Sequence, residues 1–320
     1  MKFLVWLFCF AAAVPVAAQD AYPNKPVKIL VPYGPGGATD IIARIVAVKL
    51  TETLGQSVVV ENRPGANGNL ALEATAKSAP DGYTLLIGNV STNAINESMY
   101  AGSLSIRPSR DLVAITKLVE IPHIVVANAS FPPNNIAELV ALAKKEPGKI
   151  NYTSAGIGSY PHLDMERFLR ASGTQMTHVP YKGGAGQAIP AMVAGEVQLA
   201  FFNMASLLPH IKSGRLKALA AIPAKRLPEL PNVPTLAEQG FPGIGTNAWQ
   251  GMFAPGATPK PVVDKLYASV SAVLAKEKAG LADKMMAVEV SPSPAAFAEE
   301  VRRDAQAWGD FLRTANIKVE

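Results

Sequence analysis

The residues best suited to chemistry stand in one short run, Pro32-Tyr33-Gly34-Pro35-Gly36-Gly37-Ala38-Thr39-Asp40. The run follows the β-rich apolar stretch Val27 to Val31 and precedes Ile41, Ile42, Ile45, Val46 and Leu50, which repeat at helical spacing up to Gly55. Glycines in such a turn let the backbone bend sharply and come close to a ligand. The first turn of the next helix leaves N–H groups unpaired and carries a partial positive charge. Together they make a site for an anion that needs no charged side chain. Thr39 or Asp40 can cap the helix, and Asp40 is spaced to pair with Arg44. Alone, the run suits a tight strand-to-helix turn as well as an anion site. A P-loop is excluded because no Gly-Lys-Ser/Thr follows, and the G-x-G-x-x-G dinucleotide spacing is absent.

Three other loops repeat the construction. Tyr152 to Ser159 offers Ser154, Gly156 and Ser159, with Pro161 in the first turn of the helix beyond. Val179 to Gly186 offers Tyr181, Lys182 and Gly183, and Asn89 to Asn93 offers Thr92 and Asn93. Loops that follow strands gather at the C-terminal ends of α/β sheets, where such folds bind ligands. The candidate binding residues are therefore Tyr33, Gly36, Gly37, Ala38, Thr39, Asp40, Thr92, Asn93, Ser154, Gly156, Ser159, Tyr181, Lys182, Gly183 and, after a later strand, Asn203. Catalytic constellations are weaker. His123, His162, His178 and His210 lack metal-ligand spacing, and His162 with Glu166 reads as an exposed helix face. Ser154 is no nucleophile elbow, because Tyr152 stands where glycine is required. Lys182 suits contact with an anion or solvent, and Tyr33 and Trp249 suit packing or a pocket wall. No catalytic residue, metal or cofactor is expected.

These loops need a scaffold, and the pattern supplies one. Residues 1–18 read as a secretory signal peptide: Lys2, an apolar run from Phe3 to Val14, and Val16-Ala17-Ala18 before the cut. The only cysteine, Cys9, lies inside it, so the mature chain would carry no thiol. About 300 residues remain, enough for two domains. Without Lys2, 29 basic residues face 25 acidic ones, a spread-out balance of +4 with no basic run to argue for nucleic acid or a membrane surface. Short apolar β-rich runs alternate with helical patterns, which predicts α/β architecture with largely parallel sheets. Strands are expected at Val27 to Val31, Val58 to Glu61, Leu85 to Gly88, Ile124 to Ala127, Ile150 to Thr153, Thr177 to Val179, Val197 to Phe202 and Leu216 to Ile222. Asn135 with Glu138 marks a capping box, and Pro223 to Pro234 a surface connector. From Pro259 onward the chain reads as mostly helical, apart from a short strand near Val288-Glu289-Val290. Neither this tail nor the N-terminal unit is complete alone. The expectation is a discontinuous first lobe, 19–123 plus 223–320, a second lobe at 124–222, and a hinge of two crossing segments.

The ordered motifs also carry a resemblance. They are Tyr22-Pro23 before Pro26-Val27, Tyr33 through Asp40, Val59 to Gly65, and Ala79-Pro80-Asp81-Gly82-Tyr83-Thr84-Leu85-Leu86. They continue with Asn151-Tyr152, Ser154-Ala155-Gly156, His178 to Gly183, Leu230-Pro231 and Val233-Pro234-Thr235. In that order the chain resembles the Bug (TctC-like) family, the periplasmic substrate-binding proteins of tripartite tricarboxylate transporters. The resemblance implies a two-lobe periplasmic-binding-protein fold of type II-like form, each lobe a mixed, mostly parallel sheet flanked by helices. It implies closure around one small organic anion, a di- or tricarboxylate or an aromatic carboxylate, held at the loop matching Tyr33–Asp40 opposite the loop that starts at Tyr181. It further implies permease subunits of such a transporter, or a sensor protein, as partners, a monomer, and a periplasmic location. Two departures bear on the ligand. Gly186-Gln187 and Ala191 replace a common Pro-Ala and Asp pattern, and Phe202 stands where many members carry Asp. Losing both acids removes partners for a ligand ammonium, so a non-amino carboxylate is expected.

Overall fold

The computed structural model describes residues 22–246, 248–284, 287–315 and 317. The expected leader, with Cys9, lies outside the described residues. The chain opens with β1 (Val27–Val31), α1 (Ala38–Leu54), β2 (Val58–Asn62), α2 (Asn69–Ala76) and β3 (Thr84–Asn89). A π-helical turn over Ser91–Ile95 leads into the short helices α3 (Asn96–Met99) and α4 (Pro108–Asp111), then β4 (Leu112–Ile121). Next come β5 (His123–Asn128), α5 (Ile136–Lys145), β6 (Asn151–Ser154), α6 (Tyr160–Ser172), β7 (Thr177–Pro180), α7 (Ala185–Ala194), β8 (Leu199–Asn203), α8 (Met204–Lys212) and β9 (Leu216–Ala221). The chain closes with β10 (Ala248–Pro255), α9 (Lys260–Ala282), β11 (Ala287–Val288) and α10 (Pro294–Ala315). Among the described residues no helix is long and apolar enough to cross a membrane.

The strands form two sheets, one ordered β11-β4-β10-β3-β1-β2 and the other β7-β6-β8-β5-β9. Strand periodicity explains why each sheet is covered on both faces. Ile29 and Val31 of β1 join the core under α1 and α9, while Leu30 between them joins the core under α2 and α10. In β5, Ile124 and Val126 face one core and Val125 and Ala127 the other. Each fully buried aliphatic side chain contributes roughly 2 kcal/mol of transfer free energy. Helix α1 ends where expected, because Gly55 takes the left-handed conformation and its N–H returns to the Thr51 carbonyl. Asn135 caps α5 by accepting from the Glu138 N–H.

Both sheets are mixed, but they are less parallel than expected. β1 pairs with β2 and β3 in parallel, and β6 with β7 and β8. The other pairings are antiparallel: β10 with β3 and β4, β11 with β4, and β5 with β8 and β9. The βαβ units stay parallel because a helix carries the chain back. By contrast, β4, β5 and β10 lie at the passages between sheets and arrive from the opposite direction. Only Pro122 separates β4 from β5, and residues 222–247 bring the chain from β9 back to β10. Two strands, β4 and β10, were not anticipated, and they fill the interior of the first sheet.

Candidate ligand-binding cleft

Where the two lobes meet, a small cavity remains. The first lobe lines it with Tyr33, Gly37, Ala38, Thr39, Asn89 and Gln250, the second with Ala155, Tyr160, Pro161, Ala185, Phe202 and Asn203. Four helices begin at this wall. Gly37 and Asn203 are the N-caps of α1 and α8, while Tyr160 and Ala185 are the first residues of α6 and α7. Their N-terminal N–H groups and macrodipoles give the space a positive potential. Among the described residues no lysine, arginine, aspartate or glutamate lines it.

The first jaw is braced from behind. Asp40 accepts from the Gly36 N–H (3.0 Å), Arg44 Nε (3.0 Å) and Asn62 Nδ2 (2.9 Å), and the same Asn62 amide donates to the Tyr33 carbonyl at 2.9 Å. Burial pushes the Asp40 carboxyl up, but Arg44, the Gly36 N–H and Asn62 together hold it below its ordinary value. At the cavity wall, Thr39 Oγ1 donates to Gln250 Oε1 at 2.8 Å, and the Tyr33 hydroxyl reaches Asn89 Oδ1 at 3.4 Å. Burial pushes the Tyr33 hydroxyl up to about 12, against the pull of Asn89 and Ser91, so it stays a neutral donor. Burial raises the Tyr160 hydroxyl as well, with Asn203 opposing the shift.

The second jaw meets the first directly. The Gly34 N–H donates to the Gly183 carbonyl at 3.0 Å, and a Cβ on Gly186 would lie 2.2 Å from the Pro35 carbonyl oxygen. Further along, the Tyr160 N–H donates to Ser91 Oγ at 3.0 Å, and the Tyr100 hydroxyl donates to the Ile157 carbonyl. Tyr160 and Leu163 pack into a core of the first lobe, and Tyr33 into a core of the second. The lobes are therefore closed on each other.

The candidate residues distribute unevenly. Tyr33, Gly37, Ala38, Thr39 and Asn203 line the cavity. Gly36 sits on the outer side of the jaw at φ 86°, and Asp40 is turned into the brace. Thr92 is one step removed: its Oγ1 accepts from the Asn89 N–H, and its own N–H donates to Asn89 Oδ1. Asn93 faces a separate surface cavity beside Phe253 and Arg302. Moreover, residues 91–95 form a helical turn rather than the expected loop. Ser154 Oγ is held by His178 Nε2 (2.7 Å) and donates to the Gly156 carbonyl (3.0 Å), which also accepts from Ser159 Oγ. Those three residues fix the loop from within, and Gly156 (φ 129°) packs against Asn67 across the cleft. Tyr181 reaches outward to Glu196, Lys182 is exposed, and Gly183 makes the closing contact. His162 departs from expectation: it is buried, accepts from the Gly158 N–H and stacks on His178 with centroids 4.1 Å apart. Its stacking against Tyr152 of β6 and His178 of β7 overrides the surface reading of the i,i+4 pair. Trp249 packs against Phe253 and Phe297 and donates to Asp304, away from the cavity.

Sequence reasoning passed over Asn89, Ala155, Tyr160, Pro161, Ala185 and Gln250. Gln250 did leave a signal, as the only polar side chain in the run Ala248-Trp249-Gln250-Gly251-Met252-Phe253-Ala254. Asn89 is likewise the polar end of an apolar strand.

A family model described as tripartite tricarboxylate transporter family receptor (TctC) matches residues 42–294. BugT of Bordetella pertussis is 34% identical over 313 residues, spanning 96% of this chain and 94% of its own. An R. palustris protein solved with adipate superposes with a TM-score of 0.88 at 32% identity, over 93% of this chain and 99% of that one. MatC from Rhodopseudomonas palustris, with bound malate, gives a TM-score of 0.85 at 33% identity, over 90% and 99% of the two chains.

Proposed function

The chain belongs to the tripartite tricarboxylate transporter receptor family, and on that premise we propose that it is a periplasmic solute-binding protein. It captures a small organic carboxylate between its lobes and presents the closed form to the membrane subunits of such a transporter. The observation that carries this reading is the meeting of four helix N-termini at a cavity whose lining holds no charged side chain. Neutral N–H and O–H donors, with waters in the gaps, hold an anion without burying an unpaired protein charge. The adipate and malate of the two solved relatives support the ligand class.

The mechanism is a hinge. Ligand docks on the braced jaw of α1 while the lobes are apart, and closure then brings the starts of α6, α7 and α8 onto its far side. The lobes of this reading are 19–123 plus 223–320 and 124–222, moving about Pro122 and residues 222–247. The reading is binding rather than catalysis, because the Ser154–His178 pair is spent holding its own loop and does not line the cavity. Micromolar affinity needs about −8 kcal/mol, within reach of several charge-assisted hydrogen bonds.

Calorimetric titration of the purified protein with malate, adipate and citrate tests the proposal. It expects at least one dissociation constant in the micromolar range and recovery of that ligand unchanged. Absence of binding to all three at millimolar concentration would sink it.

A further inference from the structure

The cavity is lined by three carboxamides, Asn89, Gln250 and Asn203. In each the oxygen is already used. Asn89 Oδ1 accepts from the Thr92 N–H at 3.2 Å, and Asn203 Oδ1 accepts from the Ser206 N–H at 3.0 Å. A backbone N–H can only donate, so these two contacts fix which end of each amide faces the protein. Gln250 Oε1 takes the Thr39 hydroxyl at 2.8 Å. The amide nitrogens of Asn89 and Gln250 make no protein hydrogen bond among the described residues, and that of Asn203 stands beside the Tyr160 hydroxyl at the same cavity. The sheets aim them at one place. Gln250 pairs directly with Asn89 across β10 and β3, so both side chains leave the same face of the first sheet. Asn203 ends β8 on the second sheet, opposite them.

We propose that Asn89, Gln250 and Asn203 are specificity-determining residues that present locked NH2 donors to the ligand, so that the site takes groups that only accept hydrogen bonds and turns away ammonium groups. This rests on the carboxylate reading above and extends it from ligand class to selectivity. A carboxylate or hydroxyl oxygen satisfies these donors. An ammonium brings three more donors into a space where each carboxamide oxygen already accepts a hydrogen bond and where no acidic side chain among the described residues neutralises it. The missing acids near residues 191 and 202 give a negative reason for the same preference, whereas the carboxamides give a positive one.

Two substitutions change only the working end of each amide. Asn203→Asp keeps an oxygen for the Ser206 N–H, and aspartate caps a helix as well as asparagine does. Asn89→Asp likewise keeps the acceptor that Thr92 needs. Binding is measured by calorimetry with two matched pairs, malate against aspartate and adipate against 6-aminohexanoate, with thermal unfolding of each variant as the folding control. Wild type is expected to favour the diacid of whichever pair it binds by about 100-fold. Each variant is expected to lose about 100-fold toward that diacid and to narrow or reverse its preference over the amine. The lost affinity should return as pH falls, because the protonated introduced carboxyl again offers a donor. A merely structural role gives no such recovery. Folded variants that bind the diacid as wild type does overturn the inference and leave the carboxylate reading standing. Equal binding of a diacid and its amine partner by wild type does the same. Failure of wild type to bind any of the four or citrate overturns both.

Discussion

The two jaws close on the same ligand space but are built on different principles. The jaw at residues 33–40 is held from behind by a buried carboxylate, with Asp40 tying together Gly36, Arg44 and Asn62, and Asn62 tying back to Tyr33. The jaw at residues 181–187 has no such brace. It is thin, with Gly183, Gly184 and Gly186 at the contact, Lys182 in solvent, and, besides its backbone turns, one side-chain bond from the Gly183 N–H to Gln187 Oε1 at 2.9 Å. The first jaw is thus a preformed surface, and the second is shaped to approach it. Preorganising one side lowers the ordering cost of binding, while leaving the other side slim permits close approach.

Filling the thin jaw should have the largest effect. Gly186 lies in the first turn of α7 with ordinary helical backbone, so Gly186→Ala should leave the open protein as stable as before or slightly more so. In the closed form the new methyl would collide with the Pro35 carbonyl oxygen. Ligand affinity should fall about 10–100-fold, with scattering showing a more open shape; unchanged affinity would mean the jaws do not close this way. Removing the brace comes next. Asp40→Ala strands the Gly36 N–H and the Asn62 amide and should cost about 1–3 kcal/mol in urea unfolding, with a weaker loss of affinity. A neutral result would show the first jaw to be no more rigid than the second.

Acid should separate the jaws by pH. Burial pushes His178 down to about 3, helped by neighbouring His162, and burial pushes His162 to about 4. In the unfolded chain these rings take protons below about pH 6.5. Their folded pKa values are depressed, so the stability resting on them is present above pH 6.5 and is lost as pH falls toward 4. His178 lies on β7, which leads into the second jaw. Asp40 is a carboxylate with a lowered pKa, so its contribution holds down to about pH 4 and is lost only below that. Buried Asp164 works in the opposite sense. Burial pushes it up to about 7, so its contribution is greatest at low pH and declines as pH rises through 7. The readout is therefore a difference. Between pH 7 and pH 5, His178→Gln should lose about 1 kcal/mol less unfolding free energy than wild type. Equal losses would remove His178 from the account. The smallest effect belongs to Gln187→Ala. The side chain is exposed, and its loss should cost about two- to threefold in affinity with no measurable change in unfolding.

The same contrast sets what could be read in advance. The first jaw was legible because its signals are local: a strand, a glycine turn and a helix within one stretch, with Asp40 and Arg44 at i,i+4. Period-2 and period-3.6 patterns likewise gave most strands and helices to within a few residues. The pattern hid β4 and β10, which are buried along nearly their whole length and show no alternation because both faces are covered. With them went the antiparallel pairings, since direction across a sheet depends on how the chain returns from the other lobe. Ser154 and Ser159 looked like donors because a hydroxyl in a glycine loop suits a ligand and a turn equally. Only the positions of His178 and the Gly156 carbonyl show that they serve the loop.

By itself the sequence determined that this is a two-lobed α/β chain with strand-to-helix loops fit for an anion, and its ordered motifs carried the family resemblance. Those properties follow from neighbours in the chain, where spacing of a few residues decides conformation. The tertiary structure alone decided which donors face the ligand. Thr39 and Gln250 are 211 residues apart and share a hydrogen bond at the cavity wall. Asn89 becomes a cleft residue only because β10 arrives beside β3 in a register that sets Gln250 opposite it. Donor direction is a property of sheet pairing and lobe closure, and neither has a local pattern to announce it.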